Sequence, residues 1–302
     1  MTDDITTQQS TSAIHVHTKH PPLPANSQYQ LPGFYQLING RHGVFVVNPR
    51  DYYVGHAIAA YGEYGEHEVQ LFSQIVKPGN TVIEVGANIG AHTVPLARLV
   101  GAHGHVHAFE PQPVIFQNLC ANIALNSLLN VHTYSQAAGS VSGQAILPLV
   151  DYTKLGNFGG VELLNQGEGT AVPVVRLDDV LTDLTYVSLL KLDVEGWEQS
   201  VMEGASDLIA RHRPMIYLEN DRTDKSQSLI EHIQKLDYRL WWHTPDLYNT
   251  RNYFSNAHNE YPGIVAVNML AIPKEACVFQ IQGATEVTDS RWHPMRGNPQ
   301  PT

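Results

Sequence analysis

The chain has 302 residues, 43% of them apolar and 16% charged, ordinary values for a soluble globular protein long enough to bury a sizeable core. Its formal net charge of −11 argues against a broad nucleic-acid face, which needs clustered Lys and Arg, although a local basic pocket remains compatible. Two distant cysteines, Cys120 and Cys277, without a CxxC pair, argue against a zinc cluster or disulfide framework and fit a reducing cytoplasm.

Residues 1–24 are rich in Thr, Gln, Ser, His and Pro and read as a disordered or loosely attached arm. The arm lacks the basic-then-apolar order of a signal peptide. Its His15, His17 and His20 are either a metal-binding tract or, more ordinarily, inert. Residues 25–80 read as a hairpin and cap segment. Alternating apolar stretches flank Asn39-Gly40, and an apolar helical pattern at Val69, Phe72, Ile75 and Val76 stops at Pro78-Gly79. No apolar run approaches the about 20 residues of a membrane helix.

From residue 81 to 273 the chain alternates. Strands are expected at 81–85, 105–109, 131–135 and 188–192, then at 215–218, 238–242 and 264–271. Helices are expected at 90–100, 113–126, 195–210 and 226–236. A Gly-rich stretch from Gly139 to Gly169, with a hairpin and a loop, interrupts them before a strand-like 172–175 and a short helix at 177–181. This order predicts an α/β fold with a mixed seven-stranded sheet, helices on both faces, and an antiparallel edge pair. Residues 274–302 form a weakly periodic tail.

The first strand runs through Glu84-Val85-Gly86-Ala87-Asn88-Ile89-Gly90 straight into a helix. In open α/β sheets, ligands bind beyond the carboxyl ends of the strands. Gly86 and Gly90 permit a sharp turn, and Asn88 tolerates a left-handed backbone. The spacing is not the G-x-G-x-x-G of dinucleotide folds, and an acid before the loop suits a diphosphate poorly. It suits a cationic ammonium group, such as the methionine end of S-adenosylmethionine. Twenty residues beyond Gly90, the second strand ends in Glu110, placed to accept both ribose hydroxyls or else simply a solvated strand-end acid. After the third strand, Gln136 and Ala137 leave space for an adenine ring, although small residues there are also common turn chemistry.

Four segments, VIEVGANIGAHT (82–93), HAFEPQ (107–112), VRLDDV (175–180) and LKLDVEGWE (190–198), together resemble the FkbM-type methyltransferases. The resemblance covers roughly residues 60–270. It implies a class I, Rossmann-like methyltransferase fold, S-adenosylmethionine as donor, and mostly hydroxyl acceptors on polyketide-derived metabolites or sugars, hence a role in secondary metabolism. Glu84, Gly86, Asn88, Gly90 and Glu110 match the family's cofactor positions, with Glu84 replacing a frequent aspartate.

Methyl transfer to a hydroxyl needs alignment and removal or acidification of a proton. Asp193 ends the fourth strand and points into the same crevice, touching cofactor or catalysing, while Glu195 two residues on is equally an ordinary helix-start acid. Glu219 and Asn220 end the neighbouring strand. Asp193, Glu219 and Asn220 form a hard oxygen set for Mg²⁺ or another divalent ion, a placement similar to that of catechol-type O-methyltransferases. Metal-free polar contact with substrate is the alternative. No lysine stands three residues past Asp193; Gly196 does. His243 is read as a general base or a hydrogen-bonded core residue. The aromatic stretch 245–262 is read as a binding loop or a self-packed Ω-loop, and Tyr64 to Glu68 as a flap with Glu66 or His67 facing in. His103, His105 and His107 alternate on one face, as partly exposed positions or a metal site. The expected partner is a small hydroxylated acceptor, without nucleic acid or membrane; a homo-oligomer is compatible. Competing readings are an N- or protein methyltransferase, an inactive cofactor-binding protein, and a nicotinamide enzyme.

Overall fold

A computed structural model describes residues 33–276, 281 and 283–296. The arm at 1–24 with its three histidines, and Cys277 in the tail, lie outside them. In chain order the elements are β1 (Gln36–Gly40), β2 (Gly43–Val47), α1 (Val54–Tyr61), α2 (Glu66–Ile75), β3 (Thr81–Val85), α3 (Thr93–Val100) and β4 (His105–Phe109). There follow α4 (Pro113–Leu125), β5 (Val131–Tyr134), β6 (Ala137–Ala138), β7 (Gly143–Leu147), β8 (Thr170–Val175), α5 (Leu177–Val180) and β9 (Leu189–Leu192). The last are α6 (Glu198–Glu203), α7 (Ser206–His212), β10 (Met215–Glu219), α8 (Ser226–Lys235), β11 (Tyr238–His243), β12 (Asn268–Pro273) and β13 (Ala284–Glu286).

The main sheet runs β13-β11-β12-β10-β9-β3-β4-β5. From β5 to β10 the strands are parallel, and β12, β11 and β13 add antiparallel pairings. The fold is the mixed, Rossmann-like α/β class expected. One strand is added: Ala284–Glu286, in the weakly periodic tail, pairs with β11 and makes the sheet eight-stranded. Three residues are too few for a periodic signal. Separate from this sheet are the β1–β2 hairpin and a three-stranded sheet in which β6 and β8 flank the Gly-rich stretch and β7 lies within it. The hairpin turns at Arg41-His42, two residues beyond the expected Asn39-Gly40, which pair within it.

Alternation along the central strands sorts side chains to the two faces. Ile83, Val85, Leu190, Leu192, Ile216 and Leu218 pack with residues of α6, α7 and α8. Val82, Leu189 and Tyr217 pack on the other face with Phe72 of α2 and Leu96 of α3. With both faces covered, the central strands are almost wholly buried, which is why they read as near-continuous apolar runs. No helix among the described residues is long and apolar enough to cross a membrane.

The hairpin is held by two asparagines one turn apart, Asn122 in the last turn of α4 and Asn126 at its C-cap. The Val46 N–H donates to Asn122 Oδ1 (2.6 Å), and Asn122 Nδ2 donates to the Ile89 carbonyl (2.7 Å). The Val44 N–H donates to Asn126 Oδ1 (3.0 Å), and Asn126 Nδ2 returns to the Val44 carbonyl (2.7 Å). These amides pair the free edge of β2 as a neighbouring strand would, and Asn122 also anchors the glycine loop. Asn122 is fully buried. Replacing it with Ala leaves buried backbone groups unpaired, so Asn122→Ala should lower unfolding free energy by about 3 kcal/mol. A urea titration by circular dichroism measures this, and an unchanged midpoint would contradict the clasp.

Candidate active site

The carboxyl ends of β3, β4, β9 and β10 open into a cleft of about 440 Å³. Its walls also come from α1, the segment Tyr64 to Glu68, and residues 264–268 before β12. At its floor Gly86 has φ +82°, and a Cβ there would lie 1.8 Å from the Asp193 carbonyl oxygen. Glycine is therefore required where the loop after β3 crosses the end of β9. Asn88 also takes a left-handed φ of +50°, and its Oδ1 accepts the next N–H, that of Ile89 (2.7 Å).

Glu110, at the end of β4, is buried and faces this loop. Its two oxygens accept the N–H groups of Asn88 (2.9 Å) and Gln112 (2.8 Å), leaving further acceptor capacity toward the cleft. Burial raises its pKa to about 7 against those hydrogen bonds, with Asp193 and Glu84 adding to the rise. Beyond Glu110 the cleft continues into a narrow slot walled by Pro111, Ala137, Val161, Leu163 and Trp197. Trp197 is fixed there by its Nε1 donating to the Leu163 carbonyl (3.1 Å). Of the expected cofactor residues, Glu84, Gly86, Asn88, Glu110 and Asp193 line the cleft, and Ala137 lines the slot. Gly90 and Gln136 line neither; Gly90 instead meets Leu119 of α4.

A buried ammonium lies beneath the cleft. Lys191 is 2% exposed; its Nζ stands 3.2 Å from Asp193 Oδ2 and 3.6 Å from Glu84 Oε1. Burial alone would lower its pKa, but Asp193, Glu84 and Glu68 outweigh it and hold Lys191 charged. Glu84 accepts from Thr93 Oγ1 (2.6 Å), and burial raises its pKa despite Lys191. Three carboxylates share Lys191, and the lysine is the charged member of the pair. Glu68 is buried as well, 3.0 Å from His92 Nε2, and accepts Asn268 Nδ2 (2.7 Å). Burial opposes its ionisation, yet His92 and Lys191 bring its pKa below the usual value.

Carboxylate oxygens of Asp193, Glu195 and Glu219 lie within 4.8 Å of one another. Burial, then Asp193, raises Glu195 to about 8, although Arg222 Nη2 pairs with it at 2.5 Å. Burial, then Asp193 and Glu195, raises Glu219 well above the carboxylate range, and its Oε2 is buried with no hydrogen-bond partner.

Several expectations need correction. Asn220 does not join Asp193 and Glu219. Adjacent residues of an extended chain point oppositely, and Asn220 turns into the core, donating to Ser226 Oγ (3.0 Å). Glu195 takes its place. His243 opens onto a different cavity, beside His67 and Asp246, because β12 intervenes between β10 and β11. Its Nδ1 is 2.8 Å from the Tyr217 hydroxyl, and burial lowers its pKa. On the flap it is Tyr64 and Glu68 that face in, while Glu66 pairs with His42 (2.6 Å) and His67 Nδ1 lies 3.2 Å from the Asp246 carbonyl. In the aromatic stretch 245–262 only Leu247 lines the cleft. Tyr248 bonds within the loop, to the Asn256 carbonyl, whereas Tyr261 ties the loop to the Tyr52 carbonyl before α1. His105 and His107 stack with His132 of β5, and burial, then His132 and His105, lowers His107 to about 4. Sequence reasoning missed Lys191, Glu68 and His92 as cleft residues.

The raised carboxylates make stability pH-dependent with a defined sign. Glu110, Glu195 and Glu219 bind protons more tightly folded than unfolded, so the stability they contribute is present below about pH 4.5 and lost as pH rises through their raised folded values, about 7 for Glu110 and about 8 for Glu195. Buried His107 acts oppositely, but only below about pH 6.5. From pH 6.5 to 8.5 unfolding free energy should therefore fall, on the order of 1 kcal/mol per pH unit, and Glu219→Gln should flatten the fall. Urea midpoints at the two pH values measure it; a wild-type midpoint that rises would contradict the assignment.

Among curated proteins, the chain is 30% identical over 173 residues to 31-O-demethyl-FK506 methyltransferase FkbM of Streptomyces tacrolimicus, covering 48% of this chain and 64% of that protein. It is 31% identical over 158 residues to methyltransferase sdnD of Sordaria araneosa, covering 42% and 60%. The chain thus spans less than two thirds of either relative. Among solved structures, methyltransferase FkbM from Methylobacillus flagellatus aligns at a TM-score of 0.44 and 16% identity, covering 68% of this chain and 50% of that one. An O-methyltransferase from Thermotoga maritima aligns at 0.42 and 15%, covering 71% and 67%. Residues 84–240, more than half of the chain and the segment that carries most of the cleft, match the family described as "Methyltransferase FkbM domain", and the chain belongs to that family.

Proposed function

We propose that this chain is an S-adenosylmethionine-dependent methyltransferase acting on a hydroxyl of a small molecule, of the sugar, glycan or polyketide class. The observation that carries the reading is the union, at one sheet edge, of a glycine-floored cleft, the doubly anchored Glu110 carboxylate and the apolar slot beside it. The donor supplies a methyl carbon made electrophilic by sulfonium charge. Glu110 would accept the ribose hydroxyls, and the slot by Trp197 would take the adenine. The acids Glu84, Glu110 and Asp193 suit a ligand with positive sulfonium and ammonium groups, whose charge would hold them ionised, better than a pyrophosphate. An oxygen acceptor is further supported by the name of the Streptomyces relative, a 31-O-demethyl-FK506 methyltransferase.

The acid triad favours one addition to this reading. Three carboxylates so close need a cation or shared protons. Asp193, Glu195 and Glu219 would hold a divalent ion by hard oxygen ligands, lowering the pKa of an acceptor hydroxyl. Titration calorimetry with Mg²⁺ should then give one site that Asp193→Asn abolishes, and EDTA should suppress transfer; full activity in EDTA would sink the cation.

The overall reading is tested by incubating the chain with methyl-labelled S-adenosylmethionine and a panel of hydroxylated sugars and polyketides. Label should pass to an oxygen of at least one acceptor. A chain that binds donor tightly yet labels none would instead be a cofactor-binding protein without catalysis.

A further inference from the structure

A hydroxyl acceptor must lose a proton, and most acidic or imidazole groups around the cleft are already engaged. Asp193 and Glu84 are shared by Lys191, and Glu84 also accepts Thr93. Glu195 is paired with Arg222. Glu219 belongs to the acid triad proposed above to hold the cation. His243 opens onto the other cavity.

His92 differs. It lies directly before α3, is 4% exposed, and lines the cleft together with Glu68. Its ring is braced between Tyr64 and Phe72, both with centroids 5.7 Å away. Nε2 stands 3.0 Å from Glu68 Oε2, an ion-pair contact rather than an aligned hydrogen bond. Glu68 is fixed in turn, because its other oxygen accepts Asn268 Nδ2 (2.7 Å), and that amide also contacts the Tyr217 hydroxyl (2.9 Å). The negative charge of Glu68 beside Nε2 favours the proton of a neutral imidazole there, which leaves the lone pair on Nδ1. The same carboxylate stabilises the imidazolium once Nδ1 takes a proton. A buried carboxylate that orients an imidazole in this way is the arrangement of a general base.

We propose that His92, oriented by Glu68, is the base that takes the acceptor's hydroxyl proton. The step rests on the methyltransferase reading above. As the acceptor oxygen bonds to the methyl carbon, the carbon–sulfur bond breaks and its electron pair stays on sulfur, which becomes a neutral thioether. The O–H proton ends on His92 Nδ1 and is released to water after product leaves. Glu68 is a positioning residue. The charged and titratable groups facing His92 are Glu68 of α2, Tyr64 before it, Glu84 of β3 and Lys191 of β9.

The test uses the full chain and the panel acceptor that takes most label. Wild type should show kcat/KM falling at acid pH as the base is protonated. His92→Ala should lower kcat by about 10²- to 10⁴-fold and abolish that acid limb, with partial rescue by added imidazole. Glu68→Gln should lower kcat by less than His92→Ala does while leaving the acceptor KM unchanged. His92→Gln keeps a polar contact to Glu68 and guards against misfolding; it too should lose turnover. Calorimetry with S-adenosylhomocysteine should show all three variants binding the product as wild type does. His92→Ala turning over within a few-fold of wild type, or losing activity without imidazole rescue while still binding S-adenosylhomocysteine, overturns the assignment alone. A wild-type chain that labels no acceptor overturns the methyltransferase reading, and this base with it.

Discussion

The cleft depends on one buried charge. Lys191 sits in the middle of an otherwise apolar strand, paired in register with Glu84 on β3 and followed two residues on by Asp193. Removing an ammonium from water is costly, and in isolation such a group would be neutral. Here three carboxylates surround it, and each of them would repel the others without it. Lys191 therefore lets a sheet edge concentrate acids without driving the strands apart. The close contact of Gly86 with the Asp193 carbonyl then locks the loop above it. Loss of the lysine alone would leave uncompensated buried carboxylates, the costliest way to break such a pair.

Around that charge the cleft divides into two unlike halves. Toward β4 it is narrow and partly apolar, with Glu110 and the Trp197 slot, and is built from rigid strand ends and a required glycine. Toward α2 and β12 it is wider and polar, with Tyr64, Glu68, His92 and Asn268 contributed by elements distant in sequence. The family match begins at Glu84 and ends at Leu240, so it covers the first half and leaves Tyr64, Glu68 and Asn268 outside. The proposed base His92 lies inside the matched segment, while its partner Glu68 comes from outside it.

The same division explains what could be read from the sequence. Strands β3, β4, β9 and β10 are buried on both faces and announce themselves as apolar runs, and the acids ending them follow in order. Asn220 could not be placed, because a one-residue step reverses side-chain direction and the strand's exact end decides which face receives it. His243 was misplaced because chain order does not reveal that β12 inserts between β10 and β11. Lys191 looks like a polar interruption until the register sets it opposite Glu84. Glu68 and His92 meet only through the packing of α2 on α3, a contact across 24 residues that no periodicity signals. Tyr248 and Tyr261 suited a binding surface by composition, yet their hydroxyls are taken by backbone carbonyls.

The central claim is that the glycine-floored cleft with Glu110 is a site for an adenosyl sulfonium donor. Titration calorimetry with S-adenosylhomocysteine on wild type and Glu110→Ala, with NAD as control, tests it most directly. The account predicts one site per chain for wild type, at least about tenfold weaker binding for the variant through loss of charge-assisted hydrogen bonds, and no heat with NAD. Equal affinity of wild type and variant, or preference for NAD, would contradict it.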